Sequence, residues 1–220
     1  MMDNPWEELR LDNPPYVAPV DQDAIDSYLS TKRAQRPEYS PVLSVVPEPW
    51  CGPVTTAKVL VLSGNPHWDH RDDSLPERAH EQMWLNLSGT HPLFWLREDL
   101  RGETGADWYR SGLLKDVLTH CAADSVSRKL ALIDFVGYRS HQWDHSLRVP
   151  SQRFTAEVVR NAVSNNCVVV LTRGRRPWVE LVRELDGYEF LFENRSKRQV
   201  RISARNTSQL GFDSVVNALS

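Results

Sequence analysis

Short apolar runs recur along the chain after residue 57. The longest are KVLVLS (58–63), KLALIDFVGY (129–138) and CVVVLT (167–172). Continuous apolar runs of this length are typical of parallel strands that are buried on both faces. YEFLFE (188–193) and QVRIS (199–203) predict two further short strands.

The intervals between these runs carry the spacing of amphipathic helices. We predict helices at PERAHEQMWLNL (76–87), DWYRSGLLKDVLTHCA (107–122), SQRFTAEVVRNAVSNN (151–166), RPWVELVREL (176–185) and GFDSVVNALS (211–220). Strands that alternate with helices favour right-handed crossovers and helices on both faces of the sheet. The pattern predicts an α/β fold, with three α/β/α layers and a central, mostly parallel sheet of about four to five strands.

Residues 1–54 differ from the rest because they are rich in proline and have no long periodic pattern. One short helix is predicted near Asp21–Lys32, where Ile25, Tyr28 and Leu29 share a face. We interpret 1–54 as an arm packed on an α/β domain that spans 55–220. The acidic, proline-broken start is unlike a signal peptide, and no apolar run approaches the ~18 residues of a membrane helix. We expect a cytoplasmic protein with no membrane partner.

Charge and cysteine content narrow the chemistry. The 220 residues have a net charge of -3, but residues from 125 onward hold 15 Lys or Arg against 9 Asp or Glu. A basic half is compatible with a phosphate-binding face and equally with solvated arginines. Cys51, Cys121 and Cys167 are too scattered for a disulfide framework or a zinc knuckle.

Polar residues gather where the predicted strands end, and ligands bind at this edge of parallel sheets. Trp-Asp-His occurs at 68–70 and recurs at 143–145. Two sets of residues there carry metal-ligating atoms: His67, Asp69 and His70, and His141, Asp144 and His145. Because adjacent loop residues seldom converge on one ion, we expect polar loops beside aromatic packing, with no metal and no cofactor. A metal-dependent hydrolase is the alternative.

A third strand is followed by TRGRRPW (172–178), which holds Arg173, Arg175 and Arg176. Arginines at a helix start suit contacts to DNA phosphates, and a solvated helix start explains them equally well. A nucleophile elbow, a P-loop and a dinucleotide-binding fingerprint are all missing from the sequence.

Two short motifs carry a family resemblance: Ser63-Gly64-Asn65-Pro66-His67 and, about 140 residues later, Asn206-Thr207-Ser208-Gln209-Leu210. The pair resembles the uracil-DNA glycosylase-like superfamily, whose mismatch-specific members have G-x-N-P-G after the first strand and N-P-S-G-L near the C-terminus. The resemblance covers roughly residues 50–220. Each motif departs from the pattern at two positions, which affects the expected base preference more than the fold or the reaction.

The resemblance implies a DNA glycosylase, which breaks a base–sugar bond through an oxocarbenium-like state. Asn65 matches the position that orients the attacking water. Asn206 matches the position that donates hydrogen bonds to the departing base, as an oxyanion-hole donor does.

The same matches imply a set of DNA contacts. Ser63 and Ser208 correspond to positions beside phosphates that flank the target. Leu210 corresponds to the apolar side chain that relatives insert into the duplex when a nucleotide is flipped out, and Gln209 helps to fill the gap.

The base pocket is expected to include His67 and the end of the second strand. Asp134 aligns with a position that reads the Watson–Crick edge, and a carboxylate there accepts from the N4 amine of cytosine. The alternative is that Asp134 caps a neighbouring loop. Tyr138, Trp68 and Trp143 are suited either to stacking on the base or to core packing.

These matches predict a monomeric, monofunctional DNA glycosylase, because neither motif contains a lysine that would favour a lyase. Some bacterial members of the superfamily look like phage-defence enzymes that excise bulky modified cytosines such as α-glucosylated hydroxymethylcytosine, and this chain has a similar layout. The alternatives are a uracil or mismatch repair glycosylase and a non-catalytic nucleic-acid-binding module on the same fold.

Overall fold

The computed structural model describes residues 3–10, 12–69, 72, 75–196 and 198–220. Its strands are β1 (Trp50–Cys51), β2 (Val59–Ser63), β3 (Leu130–Asp134), β4 (Val168–Leu171) and β5 (Leu191–Glu193). They form one sheet in the order β1-β3-β2-β4-β5. Among these strands only β1 is antiparallel to its neighbour, so the predicted α/β fold with a mostly parallel sheet is confirmed.

Eight α-helices are present in the described residues. They are α1 (Gln22–Leu29), α2 (Glu77–Asn86), α3 (Thr104–Asp107), α4 (Ala123–Lys129), α5 (Gln152–Ser164), α6 (Arg175–Leu181), α7 (Ala204–Thr207) and α8 (Gln209–Leu219). Helices α2, α5, α6 and α8 lie where the apolar spacing predicts helices. None of the described helices has the length and apolar character needed to cross a membrane.

The single helix predicted at 107–122 is wrong. After α3 the chain forms a wider π-helical turn, Trp108–Leu113, and leaves helical geometry at Leu114. The Leu114 N–H reaches back five residues and donates to the Tyr109 carbonyl at 2.8 Å. Leu113 and Leu114 are adjacent in sequence and both fully buried. The wider turn accommodates this pair, and such turns are frequent at functional sites.

The strand predicted at 199–203 is also wrong. Two carbonyl groups of this segment accept hydrogen bonds from the Asn206 side chain, both at 2.8 Å. The Ile202 N–H donates to the Leu113 carbonyl at 2.9 Å, so it bonds to the π-helical turn and not to a strand. The backbone groups that would pair with a neighbouring strand are therefore already used.

The centre of the sheet fixes where polar side chains emerge. Every residue of β2 and β3 is buried, which shows that both faces of the sheet are covered. Ser63 lies opposite Asp134 in the parallel register of these strands. Just beyond β4, the Thr172 N–H donates to the Leu62 carbonyl at 2.9 Å. The carboxyl ends of three neighbouring strands therefore meet at one edge.

The stretch predicted as an arm supplies the edge strand β1. Trp50 is fully buried, and its indole N–H donates to the Asn86 carbonyl at 2.7 Å. The Asn86 side chain in turn accepts from the Gly52 N–H at 3.0 Å. These bonds tie β1 to the end of α2. The antiparallel pairing of β1 with β3 places the residues just before β1 next to the carboxyl end of β3, where the Asp134 N–H donates to the Pro49 carbonyl at 2.9 Å.

Candidate functional site

A cavity of about 450 Å³ opens at the carboxyl edge of the sheet. Small-molecule sites in proteins commonly measure about 300–1,000 Å³. Its aromatic walls are Trp95, Trp108, Tyr109 and Trp143, and its polar lining includes Glu48, Ser63, Asn65, His67, Asp134, Arg139 and Arg173. Trp108 is 39% exposed, so it lies on the solvent side of the cavity. The π-helical turn thus contributes two of the four aromatic walls.

Asn65 lies in the turn that follows β2 and lines this cavity. Its side-chain amide donates to the Ser140 carbonyl at 3.0 Å, to the Ser140 hydroxyl at 2.9 Å and to the Pro66 carbonyl at 3.1 Å. The side-chain oxygen accepts no hydrogen bond in the described part of the chain. An amide that is anchored through its nitrogen presents its oxygen in one direction, as the orientation of a water molecule requires.

The loops after β2 and β3 run side by side. His67 and Ser140 form an isolated parallel β-bridge, and the Trp68 N–H donates to the Ser140 carbonyl at 3.3 Å. His67 is exposed and lines the cavity, with Nδ1 at 3.2 Å from the His141 carbonyl oxygen. The two loops support one another, so Asn65 and His67 reach the cavity from the same side.

Trp143 forms a closely packed wall between two glycines. A Cβ atom on Gly64 would lie 2.5 Å from Trp143 Cδ2, and one on Gly174 would lie 2.3 Å from Cη2. Gly174 also has a φ of +76°, a conformation that residues with a side chain rarely adopt. Only glycine at both positions leaves room for the indole, which therefore packs directly against the backbone that follows β2 and β4.

Asp134 ends β3 with its carboxyl group in the floor of the cavity, where the residue is 4% exposed. Its Oδ1 is buried and has no hydrogen-bond partner in the described residues. Burial, followed by the charge of Glu48, raises the pKa of Asp134 well above its ordinary value, and Ser63 and the nearby arginines oppose this only in part. These surroundings favour the protonated form of the Asp134 carboxyl group.

Glu48 and Arg139 form a buried ion pair beside Asp134, and each side chain is 8% exposed. Glu48 also accepts from the Trp95 indole N–H at 3.1 Å. Arg139 donates to the His67 carbonyl at 3.0 Å and thereby connects the pair to the loop that carries Asn65. Burial raises the pKa of Glu48, whereas the charge of Arg139 lowers it.

Unpartnered polar atoms are concentrated at this cavity. Of the seven buried side-chain polar atoms without a partner in the described residues, four belong to residues that line it: Asp134 Oδ1, Arg139 Nε, Trp143 Nε1 and Arg173 Nε. Each buried unpaired polar group costs about 1–3 kcal/mol. Unpartnered polar atoms in the residues around this cavity make it better suited to a polar ligand than to an apolar one.

Two residues expected in the base pocket lie elsewhere. The Tyr138 hydroxyl donates to Asp21 at 2.7 Å and accepts from the Ala18 N–H at 3.2 Å, so Tyr138 joins the N-terminal stretch to the domain. Trp68 packs edge to face on the His141 ring, with 4.8 Å between ring centroids, and does not line the cavity. Both follow strand ends in sequence, but their rings are used in packing.

Asn206 also differs from the expectation based on the resemblance. Its amide nitrogen donates to the Gln199 and Arg201 carbonyls, and its oxygen accepts from the Ser196 N–H at 2.8 Å. The whole carboxamide is used within its own loop, and the residue does not line the cavity. This arrangement leaves no donor for a departing base, and Asn206 instead holds the backbone of Ser196, Gln199 and Arg201 together.

The rest of the second motif begins α8. Ser208 caps the helix by accepting from the Gly211 N–H at 3.1 Å, and the Gln209 amide donates to Asp213 at 2.8 Å. Leu210 is 70% exposed, the largest exposed fraction among the large apolar residues of the described chain. An exposed leucine at this position is compatible with the predicted wedge, whereas Ser208 and Gln209 have local partners.

The second motif lies at the same edge of the sheet as the first. The Thr207 hydroxyl donates to the Asn194 side chain at 2.9 Å, and the Asn194 N–H donates to the carbonyl of Leu171, the last residue of β4, at 2.9 Å. The second motif is therefore tied to the carboxyl end of β4, at the edge of the sheet where the first motif follows β2.

The two arginines expected at DNA differ in their surroundings. Arg173 lines the cavity and has no ion pair in the described residues. Arg175 pairs with Glu193 at 2.6 Å and with Asp186 at 3.1 Å, and the hydrogen bond that Arg175 donates to Glu193 raises the pKa of Arg175. The charge of Arg175 is thus already balanced, which leaves Arg173 as the better placed of the two.

The metal-ligand candidates are not gathered into one site. Within the described residues, no three His, Cys, Asp or Glu side chains lie close enough to hold an ion. The Asp144 carboxylate accepts from the Tyr28 hydroxyl at 2.9 Å and pairs with Arg33 at 3.2 Å. His70 lies outside the described residues.

Glu48, Trp95, Tyr109 and Arg139 line the cavity but carry no signal that marks them as functional in the sequence. Arg139 belongs to the polar stretch after β3, so its neighbourhood was predictable. Glu48 lies between two prolines 86 residues before Asp134 and has no motif or periodic pattern around it.

No family model, curated protein or solved structure matches this chain. The glycosylase resemblance therefore rests on the two motifs, and its consequences must be argued from the site.

Proposed function

We propose that this protein is a monofunctional DNA glycosylase that flips a modified base out of DNA and hydrolyses its N-glycosidic bond to leave an abasic site. The proposed substrate is a bulky modified cytosine of phage DNA, such as α-glucosylated hydroxymethylcytosine, which implies a role in antiviral defence. The observation that carries the proposal is Asn65, because its nitrogen is anchored and its oxygen is free at the wall of a large polar cavity.

The reaction requires a positioned water more than a strong base, since the sugar gains oxocarbenium character as the base departs. Asn65 Oδ1 accepts a hydrogen bond from this water and directs its oxygen at C1′. The new C–O bond forms while the bond between C1′ and the base nitrogen breaks, and the electron pair of that bond leaves with the base. The water releases one proton, and the departing base takes up one.

The size and chemistry of the cavity favour a base with a polar substituent. Its volume of about 450 Å³ is well above that of a single pyrimidine ring. Aromatic walls suit both a flipped base and the apolar face of a sugar, because stacking needs only a flat or weakly polar surface. The unpartnered N–H groups of Arg139, Arg173 and Trp143 supply donors for hydroxyl or carbonyl oxygens.

The second motif supports a contact to the DNA backbone and duplex, distinct from the contact of the cavity with the flipped base. The sixteen residues from Arg195 to Leu210 contain five Lys or Arg and no Asp or Glu. Arg195, Arg198 and Arg205 are exposed and have no ion pair in the described chain. Asn206 holds this basic loop in shape, and the exposed Leu210 lies at its end. Unpaired arginines beside an apolar wedge are suited to phosphates and a distorted duplex.

Alanine substitutions of arginines in the basic loop are expected to weaken binding to all DNA sequences to a similar extent. Arg198→Ala and Arg205→Ala should each lower the salt dependence of log K by about 1, because each removes about one phosphate contact. Fluorescence anisotropy at several salt concentrations measures this slope. Arg128→Ala is the matched control, since Arg128 is exposed, pairs with Asp124 and precedes the opposite end of β3. An unchanged slope in both loop variants would remove the loop from the interface.

Abasic-site formation tests the proposed function directly. The protein is incubated with phage DNA that carries glucosylated hydroxymethylcytosine, with the same DNA lacking the sugar, and with a uracil-containing duplex. We expect abasic sites to form only in the glucosylated DNA, or to form far faster there than in the other two substrates. Cleavage of the uracil duplex alone would identify a repair enzyme. DNA binding without any base release on this panel would favour the binding module.

A further inference from the structure

Three buried carboxyl residues line the cavity, Glu48, Asp72 and Asp134, but their surroundings differ. Asp72 accepts from the Asp69 N–H at 2.9 Å. Both oxygens of Glu48 have partners, the Trp95 indole at 3.1 Å and the Arg139 guanidinium. Asp134 has a buried Oδ1 with no partner in the described residues, at a residue that is 4% exposed and lines the cavity. Glu48 is therefore neutralised within the protein, and Asp134 is left for a ligand.

We infer that Asp134 serves the cavity as a neutral carboxylic acid, whose O–H donates a hydrogen bond to an acceptor on the ligand while its carbonyl accepts one from a neighbouring donor. Burial and the negative charge of Glu48 both oppose ionisation of Asp134. Arg139 contacts Glu48 directly, so the negative charge belongs to Glu48 and the proton to Asp134.

Charged and polar groups face Asp134 from the elements around it. They are Glu48 before β1, Ser63 at the end of β2, Tyr109 in the π-helical turn, Arg139 after β3 and Arg173 after β4. Asp72 also lines the cavity, and its charge acts on Glu48. Arg139 is already paired with Glu48, and Arg173 donates no hydrogen bond to the carboxyl group. Neither guanidinium contacts Asp134 directly enough to hold its charge.

A neutral acid selects a ligand class that differs from the one a carboxylate selects. A carboxylate only accepts, so it would reject a carbonyl oxygen at the position of the cytosine amine. A carboxylic acid donates and accepts side by side, so it matches a base edge that presents an acceptor next to a donor, as N3 and the N4 amine of cytosine do. The O4 and N3–H of uracil also present an acceptor next to a donor, so a neutral Asp134 does not by itself exclude uracil.

This inference rests on the proposed function where it concerns catalysis. The departing base gains the electron pair of the broken bond, so its ring acceptors become more negative in the transition state. A hydrogen bond from Asp134 to such an acceptor strengthens as the bond breaks, and only such differential interactions accelerate the reaction. The hydrogen bond is donated without transfer of the proton, which stays on Asp134.

The protonation of Asp134 is tested in the free protein, without any substrate. An acid that stays neutral when folded but ionises when unfolded lowers stability as pH rises above about 4. The urea midpoint of Asp134→Asn should therefore rise relative to that of the native protein between pH 5 and pH 8. Asp144→Asn is the matched control. Burial tends to raise the Asp144 pKa, but Ser146, Tyr28 and Arg33 together hold it below the ordinary value, so its midpoint should not rise in this way.

A second measurement covers the case in which Asp134→Asn does not fold. In native protein with carbon-13 in its aspartate carboxyl groups, the resonance assigned to Asp134 should remain that of a protonated acid at pH 7. Assignment is needed because burial also raises the pKa of Asp21. If the Asp134 resonance titrates below pH 5, or if the midpoint of Asp134→Asn falls relative to the native protein as pH rises, the inference is overturned.

Cleavage assays then separate this role from the proposed function. Asp134→Ala should lose about 10²-fold or more in the rate of base release, as removal of one preorganised donor does. Asp134→Asn should recover part of the loss, because an amide also donates and accepts, and its rate should no longer fall at alkaline pH. Equal loss in both variants would contradict the neutral acid. Absence of cleavage by the native protein would refute the glycosylase but leave the two measurements on the free protein intact.

Discussion

Replacing Asn65 with alanine is expected to lower the rate of base release by about 10²–10³-fold while DNA binding remains close to that of the native protein. The reason is geometric, since three hydrogen bonds from the amide nitrogen hold the free oxygen at one position in the cavity. An alanine leaves the water without an acceptor to aim it. Single-turnover cleavage measures the loss, and anisotropy with the same DNA measures binding.

Asn65→Asp separates orientation of the water from general-base catalysis. An aspartate would place a carboxylate oxygen against the Ser140 carbonyl, where the native amide donates at 3.0 Å. If Asn65 acts by orientation, Asn65→Asp should lose nearly as much rate as Asn65→Ala. Asn161→Ala, an exposed change within α5, serves as the control and should keep its full rate. A rate within threefold of native in Asn65→Ala would remove Asn65 from the mechanism.

The same comparison gives Asn206 a different expected phenotype. Its carboxamide holds the loop that carries Arg195 and Arg198. We therefore expect Asn206→Ala to weaken DNA binding more than it slows single-turnover cleavage at saturating protein. Two asparagines that a motif match treats as one catalytic pair are thus separable by experiment, and the separation follows from where each amide donates.

The sheet was predictable because its central strands are encoded by local pattern. β2, β3 and β4 lie within continuous apolar runs, and such runs have few alternatives to a buried parallel strand. β1 was not predictable, because two residues among prolines carry no period. The segment at 199–203 reads as a strand, but its carbonyl groups are taken by a side chain three residues beyond its end, which no pattern of apolar residues reveals.

The site residues also divide into those that local sequence pattern predicts and those that long-range contacts bring to the cavity. Asn65, His67, Asp134 and Arg173 reach the cavity because each follows or ends a parallel strand, and strand ends converge. Glu48 is brought there by the docking of β1, a long-range contact with no local signal. Tyr138 and Asn206 show the converse case, in which the sequence places a suitable side chain near the edge but its polar atoms are used elsewhere. A motif identifies a position, whereas hydrogen-bond partners decide whether the side chain is free.

Removing one member of the Glu48–Arg139 pair is expected to produce the largest loss of stability among these variants. Arg139→Met should destabilise the fold by about 3–5 kcal/mol at pH 7, the usual cost of leaving one buried charge without its partner. Both side chains are 8% exposed, so water cannot replace the lost contact. Urea unfolding followed by circular dichroism measures the change.

The pH dependence of that loss identifies its cause. Without Arg139, burial and the absence of a counter-charge raise the pKa of Glu48 further, so Glu48 is neutral when folded and ionised when unfolded. This lowers stability as pH rises above the ordinary Glu value of about 4.3, so the loss should be smaller at pH 5 than at pH 8. A loss that is equal at both values would indicate missing packing of the Arg139 stem and not an unpaired charge.

The double variant Glu48→Gln with Arg139→Met completes the test. Replacing a buried ion pair by groups of similar shape is often close to neutral, so the double variant should recover most of the stability lost in Arg139→Met. Arg101→Met, which removes an exposed partner of Glu98, should leave the midpoint unchanged. The double variant has also lost the hydrogen bond from Arg139 to the His67 carbonyl, which supports the loop of Asn65. A variant that is stable but slow in cleavage would therefore show that the pair positions the water-orienting loop, and one that is stable and fast would limit its role to the fold.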